Sequence, residues 1–201
     1  PGRYRWVVTL DVKSMHPSIM MQNNLSPECI VDMMDVTIDS IIAGKFEVQD
    51  GLCLSANCLL TSKDTKGFIP VLVERMFDTR NGIKSKMLDI EKRLELEAKI
   101  LSDENKSILE SDASALNVAQ SSYKIAQNSF FGCTALPYFK YYDSRIAEAI
   151  TSTSQVMLKS GMKFVNEIIN KIMQTTNVKY AFYGDTDSVM IEFGAFVDKH
   201  C

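Results

Sequence analysis

No stretch of this chain is apolar for long enough to span a bilayer, and its opening residues carry no signal-peptide pattern. A membrane partner is therefore not expected. Five cysteines, Cys29, Cys53, Cys58, Cys133 and Cys201, are odd in number and show no CxxC pairing. That spacing argues against a disulfide framework or a zinc site and fits a reducing compartment such as the cytoplasm. Positive charge is not in excess: 22 basic against 25 acidic residues leave a net charge of −3. That argues against bulk electrostatic wrapping of nucleic acid, though not against a local basic site. There is no Walker-type loop, no GxGxxG and no internal repeat, which removes P-loop, dinucleotide-binding and solenoid architectures.

What is present is 201 residues with 46% hydrophobic content, enough for a sizeable core and unlike disordered or fibrous chains. Pro1 in place of a start methionine, and the charged pair Lys199-His200 before Cys201, lead us to expect a segment of a longer polypeptide. The most informative stretch is 181–191, AFYGDTDSVMI, where apolar and aromatic flanks enclose a Gly-Asp-Thr-Asp centre. It reads as two short strands joined by a hairpin turn. Such a turn projects Asp185 and Asp187, whose like charges repel unless a cation lies between them. Hard oxygen donors with few other ligands suit Mg²⁺, which also binds substrate phosphates. Alone, a DTD triplet is more often a surface turn, where Asp is favoured for backbone reasons. The decisive question is whether a third carboxylate and a phosphate site exist.

Residues 5–10 are a strand-like run that ends at Asp11, and residues 12–21 begin a helix with Ser14 as a cap and Pro17 in its first turn. Asp11 thus sits where free backbone N–H groups attract anions, an odd place for a carboxylate unless a metal bridges the two, although an ordinary Asp at a strand end is common. Residues 22–66 read as scaffold: a turn at 25–28, a helix over 32–43 ended by Gly44, short strands within 45–61, and a turn at 62–67. Residues 71–101 are helical and dense in charge, with Asn81-Gly82 as a weak point. Polar breaks follow at 102–105 and 111–112, then a helix over 113–131 ended by Gly132. Two long helices with a short join make an antiparallel hairpin. If its turn centres on Glu104, Lys84 and Lys124 lie level, 20 residues to either side, and Arg80 lies level with Asn128. If the join is instead all of 102–113, these heights slip by at most about two turns. Arg80 and Lys84 share a face, so with Lys124 three cations could converge on one patch, as suits a triphosphate, although exposed charges on such a hairpin usually mean only a solvated face. Residues 138–142 are strand-like. A helix then runs from 146 to about 173, with Ile146, Ala149, Ile150, Thr153, Met157 and Leu158 as its core face. Residues 177–182 return to strand.

These residues carry a resemblance. Asp11 to Ile19, DVKSMHPSI, is similar to the first polymerase motif of family-B DNA polymerases, DxxSLYPSI; Lys124 to Gly132, KIAQNSFFG, is similar to the second, KxxxNSxYG. Residues 183–188 match the third, YGDTDS, and Arg80 with Lys84 resemble the fingers-helix pair. Order and spacing agree over nearly all 201 residues, and 141–145, YYDSR, resembles the replicative polymerases of large tailed bacteriophages. The resemblance implies an α+β fold, an antiparallel-sheet palm backed by helices with an inserted helical-hairpin fingers subdomain. The expected division is 1–69 palm, 70–135 fingers and 136–201 palm. It implies template-directed DNA synthesis with two Mg²⁺ ions (or Mn²⁺) held by Asp11, Asp187 and the carbonyl of Val12, with Asp185 beside them. Arg80, Lys84 and Lys124 would bind the β- and γ-phosphates, with the Ser14 and Met15 N–H groups and Asn128 in support. Phe131, Gly132, Tyr183 and Thr186 would lie near the nascent base pair and DNA. Implied partners are dNTPs, primer–template DNA, and a sliding clamp and other replisome proteins through regions outside this segment. The short intervals between motifs favour a nucleic-acid primer over a protein one.

Two positions depart from the family pattern. His16 stands where the first motif has Tyr, under the sugar, and Phe131 stands where the second has Tyr. Neither removes a metal ligand, so both bear on sugar choice and fidelity rather than on the chemical step. A different two-metal enzyme, such as a nucleotidyl cyclase, lacks the hairpin cations and the KxxxNS stretch. An inactive DNA-binding paralogue would not be expected to keep Asp11, Asp187 and Lys124 together.

Overall fold

The structure, a computed structural model, describes residues 2–97 and 100–200, the side chain of His200 excepted. The chain forms two three-stranded antiparallel sheets and a long helical hairpin, with one short helix packed among the long helices. Strand β1 (Val7–Asp11) pairs with β6 (Ser188–Glu192), which pairs with β5 (Ala181–Asp185), in the order β1-β6-β5. The second sheet joins β2 (Ile30–Met33), β4 (Leu59–Ser62) and β3 (Leu52–Leu54) in the order β2-β4-β3. This mixed α+β architecture agrees with the sequence expectation.

Helix α1 (Met15–Gln22) is the hub. Its Met15, Ile19 and Met20 are buried against Ile69 and Val73 of α3 (Phe68–Leu96) and Ile146, Ala149 and Ile150 of α5 (Ser144–Met173). A second cluster sets Ile169 and Met173 of α5 against Tyr180, Ala181, Val189 and Ile191. Alternation along β6 explains it: Val189 and Ile191 point to the helix, while Ser188, Met190 and Glu192 face away. Helix α5 starts on Asp143, whose carboxylate accepts from the Arg145 N–H and pairs with its guanidinium at 2.7 Å. Those bonds hold the Asp143 carboxyl below its usual range despite partial burial.

The foot of the hairpin is fastened by side chains that the sequence did not single out. Buried Asn24 donates to the carbonyls of Ser62 and Thr65 at 2.7 and 2.9 Å and accepts from the Gly67 N–H at 2.9 Å. Glu28 accepts from the Phe68 N–H at 2.7 Å and from the Ser26 hydroxyl at 2.6 Å. A β-carbon on Gly67 would collide with Ser26 and come within 2.8 Å of the Cys29 sulfur, so the approach requires glycine.

Several local expectations are corrected. The helix expected over 32–43 divides into strand β2 and the short helix α2 (Ile38–Ile42), because β2 finds a partner in β4 and Thr37 caps a later start. Helix α3 ends at Leu96 rather than 101; residues 98 and 99, within that expected tail, lie outside the described residues. Helix α4 (Asp103–Thr134) runs unbroken through Ser111-Asp112 and past Gly132. Those polar residues lie on exposed turns, where poor helix formers cost only tenths of a kcal/mol, up to about 1 kcal/mol for Gly. Residues 138–142 form turns, not a strand. Among the described residues no strand pairs with this stretch, and its rings instead brace the hairpin, Phe139 against Phe130 and Tyr141 against Phe68. On α5, Met157 is exposed and Ser154 is buried in its place, bonding its own helix backbone. Strand β5 begins only at Ala181.

Candidate active site

Strand pairing places the acidic residues. Asp11, at the end of β1, is opposite Ser188, and Ser188 is opposite Asp185 on its other side. Directly paired residues share a sheet face, so Asp11, Ser188 and Asp185 form one row across three strands. Asp187 is fixed next to that row by its carbonyl, which accepts from the Val12 N–H at 2.8 Å. The hairpin turn is only Thr186-Asp187, and Thr186 has φ of 50°, a conformation a β-branched residue adopts under constraint. The Thr186 hydroxyl donates to the Asp185 carboxylate at 3.1 Å, and the Ser188 hydroxyl donates to the Asp185 carbonyl at 3.3 Å.

The hairpin supplies the opposite charge. A cleft of about 500 Å³ is lined by Asp11, Thr186 and Asp187 on one side and by Arg80, Lys84, Lys124, Asn128 and Phe131 on the other. Its floor is Ser14, Met15 and His16, at the start of α1. The structure therefore brings together most of the residues singled out from sequence. Val12, Asp185, Gly132 and Tyr183 do not line this cleft. Val12 packs its side chain toward the core, Asp185 is turned to Thr186, and Tyr183 is half exposed on the open sheet face. Gly132 lies on an exposed turn of α4 with open space beside its α-carbon.

The hairpin register differs from the expectation. Arg80 donates to Gln120 at 3.4 Å, so the level point lies near residue 100 rather than 104, and Lys84 and Lys124 are not level. Their long stems make up the difference and both reach the cleft. Among the described residues neither lysine is paired with a carboxylate. Ser14 occupies the helix N-cap position in a left-handed conformation, but its hydroxyl does not cap. It accepts from the Arg80 guanidinium at 3.2 Å and so ties the hairpin to α1.

His16 is half-buried, and its ring lies 4.4 Å from that of Phe131. Burial lowers its pKa, and the Asp187 carboxylate opposes that only in part, so the imidazole is neutral at neutral pH. Lys13, Pro17, Asn81 and Gln127 also line the cleft and were not anticipated. Lys13 and Gln127 fall at unspecified positions of the two motifs; their only sequence signal was being polar inside an otherwise assigned run. Among the described residues no three His, Cys, Asp or Glu side chains converge as a metal cluster. Mg²⁺ is commonly held by one or two carboxylates, with waters and substrate phosphates completing its shell, and Asp11 and Asp187 are the two carboxylates on this cleft that could do so.

The model for DNA polymerase family B matches residues 3–200. The chain belongs to DNA polymerase family B. It is 30% identical to the DNA-directed DNA polymerases of Escherichia phage RB69 and Enterobacteria phage T4, over 99% of this chain and 26% of each of theirs. It is 28% identical to the DNA polymerase alpha catalytic subunit of Dictyostelium discoideum, over 94% of this chain and 10% of that one. Its fold is similar to that of the family B polymerase from the archaeon Pyrobaculum calidifontis, with a TM-score of 0.53 at 20% identity, covering 96% of this chain and 21% of that one. The chain thus spans about a quarter of the length of the phage relatives. No helix among the described residues is long and apolar enough to cross a membrane.

Proposed function

We propose that this family-B chain carries the nucleotidyl-transfer site of a DNA-directed DNA polymerase. The observation that carries the reading is the single cleft in which Asp11 and Asp187 face Arg80, Lys84 and Lys124. In this reading residues 1–69 and 136–201 form the palm, and residues 70–135 form the fingers.

The cations gather the triphosphate of an incoming dNTP, Arg80 as a fork and the lysines as point charges. Lys13, at the cleft edge and over the Phe77 ring at 5.5 Å, adds to the positive wall. Asp11 and Asp187, together with the Val12 carbonyl, would hold the divalent ions, Mg²⁺ with Mn²⁺ as substitute. The chemistry such a pair supplies when bound is charge neutralisation on the phosphates and a more acidic attacking hydroxyl. The primer 3′-hydroxyl gives its proton to solvent and its oxygen attacks the α-phosphorus; a phosphodiester bond forms as the bond from that phosphorus to the bridging oxygen breaks, and pyrophosphate leaves. Lys124 faces the side on which negative charge accumulates as that bond breaks. His16 and Phe131 wall the sugar and base. The open face of the β1-β6-β5 sheet, with Thr9, Met190 and Tyr183 beyond the acidic row, receives the primer–template. A nucleic-acid primer, a sliding clamp and other replisome proteins, and a cytoplasmic setting, in a host cell if the source is viral, complete the reading.

The test is primer extension by the full-length protein and its Asp187→Asn variant. Extension should be abolished while primer–template affinity is unchanged. Near-normal extension by the variant would overturn the assignment.

A further inference from the structure

Among the described residues, one buried side-chain nitrogen has no hydrogen-bond partner: Nε2 of Gln127. The residue is 2% exposed, yet it lines the cleft. Buried polar groups are almost always paired, and those that are not call for an explanation. Helix α4 gives its position. Lys124, Gln127, Asn128 and Phe131 are spaced three and four apart, and all four line the cleft as one stripe. Lys124 marks the triphosphate end of that stripe. Phe131, in contact with His16, marks the sugar end. Gln127 lies between them, about 4.5 Å along the axis from Lys124 and about 6 Å from Phe131, at 1.5 Å per residue. The terminal torsion of a carboxamide is broad, so a rotation there turns the N–H toward the cleft without moving the helix.

We propose that Gln127 recognises the 3′-hydroxyl of the incoming nucleotide, donating from Nε2 to the 3′-oxygen. The inference rests on the polymerase reading above and adds a residue that the KxxxNSxYG pattern leaves unspecified. The sugar is the part of a nucleotide at this level of the stripe, and its hydroxyl oxygen accepts a hydrogen bond. A site built to bond a substrate hydroxyl rejects the analogue lacking it far better than an apolar wall does. Gln127 is thus a specificity-determining residue, dispensable for metal binding and for gripping the triphosphate.

The experiment measures single-nucleotide kcat/KM for a deoxynucleotide and its 2′,3′-dideoxy counterpart, in the full-length protein and in Gln127→Leu. The expected preference for the deoxynucleotide falls about tenfold in the variant, one hydrogen bond's worth of discrimination. The loss should fall on the deoxynucleotide alone, since the dideoxynucleotide never makes the bond. Gln127→Met, of similar length and volume, should behave alike, and it serves if the Leu variant does not fold. Removing an unpaired donor should also leave the thermal midpoint of either variant at or above that of the parent. An unchanged ratio, or an equal fall for both substrates, reduces Gln127 to packing and overturns the inference while the polymerase reading stands. A parent protein that extends no primer removes both.

Discussion

At the scale of single residues, His16 and Phe131 are the two departures from the family pattern, and they touch each other. In the Tyr-bearing pattern a phenol lies under the sugar. Here a smaller, neutral imidazole does, tilted 40° against a phenyl ring. Imidazole nitrogens can also bond a 2′-hydroxyl rather than only block it. His16→Tyr in the full-length protein should therefore raise the preference for deoxy- over ribonucleotides by about ten- to a hundredfold, roughly 1.4 kcal/mol per tenfold. A ratio of kcat/KM values that does not move would show that the ring is not the gate. Lys124 makes a contrasting case. Removing a donor aimed at developing charge typically costs about a hundredfold or more in rate. Lys124→Ala should lower nucleotide kcat/KM on that scale with primer–template affinity unchanged; a loss of DNA affinity instead would make it a backbone contact. The motif residues were legible because their chemistry restricts residue type. Gln127 and Lys13 were not, since their roles come from what surrounds them rather than from any pattern in the chain.

At the scale of elements, the hairpin was readable and its fastening was not. Charge density and helical composition over dozens of residues expose α3 and α4. By contrast the bonds from Asn24, Ser26 and Glu28 span about forty residues and have no local signature. The same logic explains the lost strand at 138–142 and the gained strand β2: an apolar run becomes a strand only where a partner edge is available. Glu28 offers the test. Burial alone would raise its pKa, but the Ser26 hydroxyl and the Phe68 N–H outweigh that and lower it. A carboxylate with a lowered folded-state pKa contributes stability that is present above its unfolded value and lost as pH falls through the folded one. Glu28→Ala should cost about 1 kcal/mol at neutral pH, the usual worth of a helix cap. The difference between variant and parent should shrink as pH falls below about 4.5, the usual range of a Glu carboxyl. Denaturant unfolding across that range measures it, and a difference that persists at acid pH would place the effect in packing rather than in the charge.

At the scale of the whole molecule, the β1-β6-β5 sheet is covered on one side by α5 and open at its β1 edge. All five residues of β1 are exposed, including Val7, Val8 and Leu10, and Trp6 just before it is 63% exposed. Strand β5 closes the other side of β6, so among the described residues β1 has an unpaired edge. A flat, apolar, unpaired edge is a template for pairing with another strand. The chain spans about a quarter of the length of its phage relatives. Sequence alone could mark β1 as a strand, but not as an edge, because that depends on which strands pair on either side. The prediction is that the 201-residue chain on its own self-associates at micromolar concentration through β1. Val8→Lys should suppress this, since a charge on an edge strand blocks intermolecular pairing. Sedimentation of the two chains decides it. A monomeric parent, or a variant that associates equally well, would show that the edge is inert. If further residues of a full-length protein complete the sheet, the same substitution should there lower stability, because the lysine would be buried and an unpaired buried charge costs several kcal/mol.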